Sequence, residues 1–261
     1  MDYFKKCFVI NLNRRVDRYG EFLERKPFES EFCTKFSAID GDDIKNYDKD
    51  ENPYVIGCHL SHKAVLQNVI NDNSIEDTDY VIIFEDDVYF QSTFTKEIEK
   101  IVSRKNVFDS NSIIYIGGKS VQNFTPSNLG GYTNIIENIY LRNNSKDTSM
   151  DSNRNANVII LSKLACRQII NKTKHVRVSL PIDALYNKIR DYIPEMKIYD
   201  LFPHVCYSPP ESDSDIEKFH AQNEVASFTD EHAREYFMEN DFIINEEPGI
   251  GTIGMMSEPI F

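Results

Sequence analysis

Five consecutive apolar or aromatic residues, Tyr80-Val-Ile-Ile-Phe84, run directly into three carboxylates, Glu85-Asp86-Asp87. A short unbroken apolar run is what a strand buried on both faces requires, and such strands occur where helices cover a sheet on either side. Three adjacent like charges at its end repel one another and call for a counter-charge. In open α/β sheets ligands gather beyond the carboxyl ends of strands, and residues i and i+2 of an extended segment point the same way. Glu85 and Asp87 are therefore expected to share one cation. Hard oxygen donors in small number suit Mg²⁺ or Mn²⁺. A solvated acidic turn is the plain alternative.

The text around this run sets the fold class. Cys7-Phe-Val-Ile10 reads as a first strand, and the stretch through Phe22-Leu23 as the helix after it. Phe36 to Asp40 reads as a second strand, ended by Gly41-Asp-Asp and a polar loop that runs to Asn52-Pro53. Gly57 is expected to open a helix with Leu60, Ala64, Val65 and Val69 on one side, ending near Asn71. Ser92-Thr93 caps another, carrying Ile98, Ile101 and Val102, before a buried strand at Ser112 to Ile116. Later strands are expected at Ile135 to Leu141, Asn157 to Leu161 and Lys197 to Phe202. Helices are expected after Ser162, at Pro181-Ile-Asp183 and after Thr229. Strand and helix in alternation predict an α/β fold, a mostly parallel central sheet flanked by helices. One domain over 1–261 is the economical reading, with a loop or insertion at 119–154 and a tail at 240–261.

Composition narrows the partners. With 42 acidic against 29 basic side chains the net charge is −13, so the global field repels phosphate backbones and anionic lipid. Nucleic acid is not an expected partner. No stretch approaches the roughly 20 apolar residues of a membrane span, so an integral membrane protein is not expected either. The five cysteines are scattered, odd in number and free of CxxC spacing, which disfavours zinc ribbons and a disulfide framework. Without an apolar signal core near Met1, the expectation is a cytoplasmic protein.

Three further segments could take part in chemistry. Asn11-Leu-Asn-Arg14-Arg15-Val-Asp17-Arg18 places cations at a helix start, the end that ordinarily favours anions, so an anion nearby would account for them. Salt bridging on a wet face is the plain reading. Gly57-Cys-His-Leu-Ser-His62 opens a helix with a glycine that lets a ligand approach. The pair His59 and His62 fits a structural or substrate-contacting role better than metal ligation. Phe202-Pro-His204 through Pro210-Glu-Ser-Asp213-Ser-Asp215 suits a loop folded over a site, or a disordered acidic loop. Gly249-Ile-Gly251-Thr-Ile-Gly254 matches GxGxxG, but only seven residues follow, too few for the helix a dinucleotide site needs.

Taken together, Phe8-Val-Ile-Asn-Leu-Asn-Arg-Arg-Val-Asp-Arg18, Ala38-Ile-Asp-Gly41, Gly57-Cys-His-Leu-Ser-His62 and Val81-Ile-Ile-Phe-Glu-Asp-Asp-Val88 resemble glycosyltransferase family 25. That family includes lipopolysaccharide-type glycosyltransferases and procollagen galactosyltransferases. Pro181-Ile-Asp183 and Pro210 to Ile216 fit its pattern in the same order. The resemblance implies a GT-A-like fold and a UDP-galactose or UDP-glucose donor, with Mn²⁺ (or Mg²⁺) on a DxD-like motif that here begins with glutamate. It implies Asp87 as a metal ligand, Glu85 on the metal or the ribose, and His204 as the first choice to complete the metal shell. Asn11, Arg14, Asp40, Gly41, Ser61, Glu85, Asp86, Asp213 and Asp215 would line the nucleotide-sugar site.

For an inverting reaction Asp183, at a helix start, is the candidate base, a simple dipole-favoured helix residue being the plain reading. The acceptor is a hydroxyl on a glycan or a hydroxylysine-type protein, and a homodimer is compatible with this reading. Two other classes stand beside it: a catalytically silent nucleotide-sugar-binding module, and an acidic calcium-binding interaction protein. The second has no EF-hand loop to support it.

Overall fold

The computed structural model describes residues 4–29, 33–45, 47–48, 51–104, 108–118, 132–143, 156–208 and 216. Strands and helices alternate through the first half: β1 (Lys6–Asn11), α1 (Val16–Arg25), β2 (Cys33–Ser37), α2 (Pro53–Asn71), β3 (Tyr80–Glu85), β4 (Tyr89–Phe90), α3 (Phe94–Ser103) and β5 (Ser112–Tyr115). Then come β6 (Gly117–Gly118), β7 (Tyr132–Ile136), β8 (Ile139–Arg142), β9 (Val158–Ser162), α4 (Lys163–Lys172), α5 (Ile182–Asn187), α6 (Ile189–Tyr192), β10 (Lys197–Leu201) and β11 (Cys206–Tyr207).

Eight strands form one sheet in the order β2-β1-β3-β9-β5-β10-β8-β7, and a small sheet is ordered β4-β11-β6. In the large sheet β1, β2, β3, β5, β7 and β10 run one way and β8 and β9 run the other. This is the mostly parallel, GT-A-like sheet expected, with two reversed strands that sequence periodicity could not orient. β3 lies near its middle, between β1 and β9.

The pleat sorts β1 and β3 between two cores. Phe8, Ile10, Val81 and Ile83 pack toward α2, α4 and α5, whereas Cys7, Val9, Ile82 and Phe84 pack with Phe22 of α1 and with Phe94, Ile98 and Ile101 of α3. Each such large apolar side chain, fully buried, contributes on the order of 1.5–3 kcal/mol. At the far end of the sheet Arg142 reaches Asp200 from β8 to β10, its Nη2 at 2.7 Å, with both side chains buried.

Several sequence expectations shift in detail. α2 begins at Pro53 rather than Gly57, because Asn52 caps it, its side chain accepting from Tyr54 N at 2.9 Å, and proline suits the first helical turn. Asn52-Pro53 is thus a start signal and not the end of a loop. The strand expected at 135–141 is a hairpin of β7 and β8, turned where Asn138 adopts φ 68°, and β8 pairs with β10. Helix α5 stops at Asn187 and a separate short helix follows. The helix expected after Thr229, the tail at 240–261, most of the 119–154 segment, Asp213 and Asp215 lie outside the described residues.

Cys7 and Cys33, opposite one another on β1 and β2 with Cα atoms 4.6 Å apart, are joined as a disulfide. The reading that disfavoured disulfides is corrected by this one bridge: residues 26 apart in sequence become neighbours only once two parallel strands pair. Cys58, Cys166 and Cys206 are free thiols. Among the described residues no helix is long and apolar enough to cross a membrane.

Candidate active site

The acids stand where the carboxyl ends of parallel strands meet. Glu85 closes β3 beside Ile10 of β1, and its N–H donates to Asn157 O at 2.8 Å at the start of β9. Because Val81 and Ile83 face α2, Glu85 continues on that side, while Asp86 follows Ile82 and Phe84 toward α1. The strand ends at Glu85, so Asp86 and Asp87 form a turn. The i, i+2 rule that joined Glu85 to Asp87 holds only along extended chain, and here the two carboxylates take different partners.

On the α1 side Asn11 Nδ2 donates to Asp86 Oδ2 at 2.6 Å and to Arg15 O at 2.9 Å. The Arg18 guanidinium pairs with Asp86 and, at 3.2 Å, with Asp87. Burial raises the Asp86 pKa against the pull of Arg18. The Asp87 carboxyl is pushed up to about 6, first by burial and then by the charge of Glu85, with Arg18 opposing. Ser208 Oγ donates to Asp87 Oδ1 at 2.9 Å and accepts from Asn157 Nδ2 at 3.1 Å. Gly117 makes room for that relay, since a Cβ there would stand 2.5 Å from Asn157 Oδ1. The corner thus gathers more carboxylate than guanidinium charge under partial burial, an arrangement a divalent cation would relieve.

On the α2 side His62 Nε2 lies 3.0 Å from Glu85 Oε1, and the Cys58 thiol donates to the same oxygen at 3.8 Å. Burial pushes the thiol pKa well up, and Glu85, Asp183 and Asp87 add to that electrostatically. Asp183 lies in the first turn of α5, where its side chain accepts from Ala184 N at 2.8 Å. Tyr186 of the same helix meets the His62 ring edge-on at 5.9 Å.

Other expected site residues fall around this corner or away from it. Arg14 Nε donates to Asp40 Oδ2 at 2.6 Å, and the Asp40 side chain also accepts from Asp42 N, opening a 3₁₀ turn at Gly41–Asp43. Gly41 and Gly57 both serve close chain approach: a Cβ on Gly57 would be 2.6 Å from Ile39 O. It is the protein's own loop, and not a ligand, that presses on Gly57. Ser61 is fully buried, accepting from Ile39 N at 2.8 Å and donating to Gly57 O at 2.6 Å, so it braces that loop rather than lining a pocket.

His59 is buried and structural, donating from Nδ1 to Leu180 O at 2.7 Å. His204 rests on Phe202 with ring centroids 4.8 Å apart and crowds Gly118. Among the described residues no cluster of three metal donors includes His204 or Asp87; the cluster that forms is Cys58, His62 and Glu85.

Sequence reasoning passed over Arg18, Cys58, His62 and Ser208 as particular partners of the acids. Arg18 was legible as one of several cations, and Cys58 with His62 as an i, i+4 pair on a helix. Ser208 had no signal, because it reaches Asp87 across 121 residues.

Comparison with known proteins identifies the family. The family model for glycosyltransferase family 25 (LPS biosynthesis protein) matches residues 4–186. Procollagen galactosyltransferase 2 of Homo sapiens is 32% identical over 158 residues, 52% of this chain and 24% of that protein. Inactive glycosyltransferase 25 family member 3 of Homo sapiens is 30% identical over 141 residues, 45% of this chain and 22% of that protein. A probable inactive member 3 from Rattus norvegicus is 29% identical over 141 residues, 45% of this chain and 23% of that protein. The matches span under a quarter of the length of these relatives. With the family model covering more than half of its residues, and the four N-terminal blocks and Pro181-Ile-Asp183 inside that match, the chain belongs to glycosyltransferase family 25.

Proposed function

We propose that the protein transfers a hexose, galactose or glucose, from a UDP-sugar to a hydroxyl of a glycan or a hydroxylysine-type protein, with Mn²⁺ or Mg²⁺ held at Asp87. The observation that carries this reading is the acid corner where β1 and β3 end, in which Asp86 and Asp87 share Arg18 while Glu85 adds its charge beside them. Oxygen donors and excess negative charge fit a hard divalent ion there. Bound against a diphosphate, such an ion offsets the negative charge that develops on the leaving group.

The chain's own residues supply position. Asn11 and Arg18 hold Asp86 from the α1 side, and Ser208 fixes the direction of Asp87. Arg14, joined to Asp40, offers a cation beside the strand ends for the nucleotide. Asp183 is the proposed base, accepting the acceptor hydroxyl's proton at its carboxylate, a contribution of roughly 10²–10⁴-fold in rate. His204 remains a third-ligand proposal. The Cys7–Cys33 bridge favours an oxidising compartment over the cytoplasm expected from the sequence.

A second reading has its own support: two of the relatives above are described as inactive, so the chain could bind a nucleotide sugar without turning it over. Thermal shift with UDP-galactose and UDP-glucose, with and without Mn²⁺, tests the donor. Release of UDP in the presence of hydroxyl acceptors then tests turnover. We expect metal-dependent stabilisation and UDP release, both lost in Asp87→Asn; stabilisation without release on long incubation establishes the silent module, and neither response refutes both readings.

A further inference from the structure

Glu85 turns away from Asp87 to meet two groups that a hard-ion site does not use, a thiol and an imidazole. We propose that Cys58, His62 and Glu85 form a site for a thiophilic divalent ion, Zn²⁺ foremost, on the α2 side of the sheet. The site's donors do not include Asp87, and it does not depend on the sugar-transfer reading.

The donor atoms Cys58 Sγ, His62 Nε2 and Glu85 Oε1 all lie within 4.8 Å of one another. Zinc bonds of about 2.3 Å to sulfur, 2.0–2.1 Å to nitrogen and 2.0–2.2 Å to oxygen, arranged tetrahedrally, separate N from O by about 3.4 Å and S from O by about 3.6 Å. The observed separations are 3.0 and 3.8 Å, so shifts of a few tenths of an ångström complete these two edges of the tetrahedron, and the third, Sγ to Nε2, lies within 4.8 Å. Hydrogen bonding already holds the three groups together without an ion.

Local structure explains why the groups converge. Cys58 and His62 are four residues apart on α2, one above the other on a single helix face, and Glu85 comes from the rigid end of β3. His62 is fully buried and Glu85 keeps 24% of its side chain exposed, which leaves one side open for a water or ligand in the fourth position. Asp87 and Asp183 act electrostatically on the thiol, so an arriving dication enters a negative field. Cysteine and histidine select zinc-like ions, whereas Asp87, among Ser208 and Arg18, offers only oxygen. On binding, the S–H bond breaks and its proton leaves to solvent; the proton that His62 Nε2 donates to Glu85 is also released, and the neutral imidazole takes its one proton on Nδ1.

The test uses the full chain, stripped with a chelator, and Co²⁺ alone as probe with no nucleotide present. We expect one equivalent of Co²⁺ to give a thiolate-to-cobalt charge-transfer band in the near ultraviolet and intense tetrahedral visible bands, both erased by Zn²⁺. Cys58→Ser should abolish the thiolate band with an unchanged far-ultraviolet spectrum, and His62→Gln should weaken Co²⁺ binding roughly tenfold or more. Should His62→Gln fail to fold, Glu85→Gln replaces it with the same expectation. Absence of the band in the parent chain, or its persistence in Cys58→Ser, shows a hydrogen-bonded triad and overturns the proposal. Mn²⁺ at Asp87 gives no thiolate band, so failure here is distinct from failure of the donor reading.

Discussion

Arg18 pairs with both Asp86 and Asp87 while only 17% of its side chain is exposed, so its charge is poorly replaced by solvent. Removing one partner of a buried pair leaves an uncompensated charge, which typically costs about 3–5 kcal/mol. Arg18→Gln is therefore expected to lower stability by about 3 kcal/mol, somewhat less than a fully buried case because the pair is partly solvated. Urea denaturation checks it, and adding Asp86→Asn should recover part of the loss by removing one orphaned carboxylate. A full loss unchanged in the double variant would mean that the helix start, and not the acids, depends on Arg18. The residue types at this corner were readable in advance, since acids at a strand end and cations after β1 both signal a charged site. Their pairing was not, because Arg18 meets Asp86 across 68 residues of chain and only the packing of α1 on the sheet brings them together.

At the scale of elements, two glycines on helices have opposite environments. Gly57 of α2 lies under the 39–41 loop, where an added Cβ would meet Ile39 O at 2.6 Å and Gly41 N at 3.2 Å. Backbone atoms cannot step aside as a flexible side chain can, so Gly57→Ala should cost about 1–3 kcal/mol and loosen the Arg14–Asp40 pair. Gly20 of α1 has open space at its Cβ position, and Gly20→Ala should stabilise by up to about 1 kcal/mol through helix propensity. Denaturation midpoints of the two variants moving in opposite directions is the expected outcome; equal shifts would show that the loop contact is soft. A glycine's type says nothing of which case applies. β3, α2 and β9 were legible because long apolar runs and caps are local signals, whereas the start of α2 turned on reading Asn52-Pro53 as a cap. The hairpin of β7 and β8 was hidden because one apolar stretch carries no mark of a turn unless the backbone at Asn138 is known.

For the molecule as a whole, His59 ties α2 to the loop before α5 and links stability to pH. Burial, followed by the nearby Lys63 charge, lowers its pKa from 6.5 to about 3. The unfolded chain thus binds a proton that the folded one refuses between those values, so stability from this group is complete above about 6.5 and falls as pH drops toward 3. The slope approaches about 1.4 kcal/mol per pH unit at its steepest. His59→Asn, which keeps a donor for Leu180 O, should flatten that acid limb in denaturation curves taken between pH 4 and 7; an unaltered slope would remove His59 as the cause. Sequence alone determined the α/β class, the central strand and the charged character of its end, because each follows from local periodicity and from the free energy of burying apolar side chains. Tertiary structure decided the rest: the Cys7–Cys33 bridge, the division of Glu85 and Asp87 between two faces, and the meeting of Cys58, His62 and Glu85. Those depend on which strands lie side by side and where the chain stops being extended, and both are settled by contacts between residues far apart in sequence.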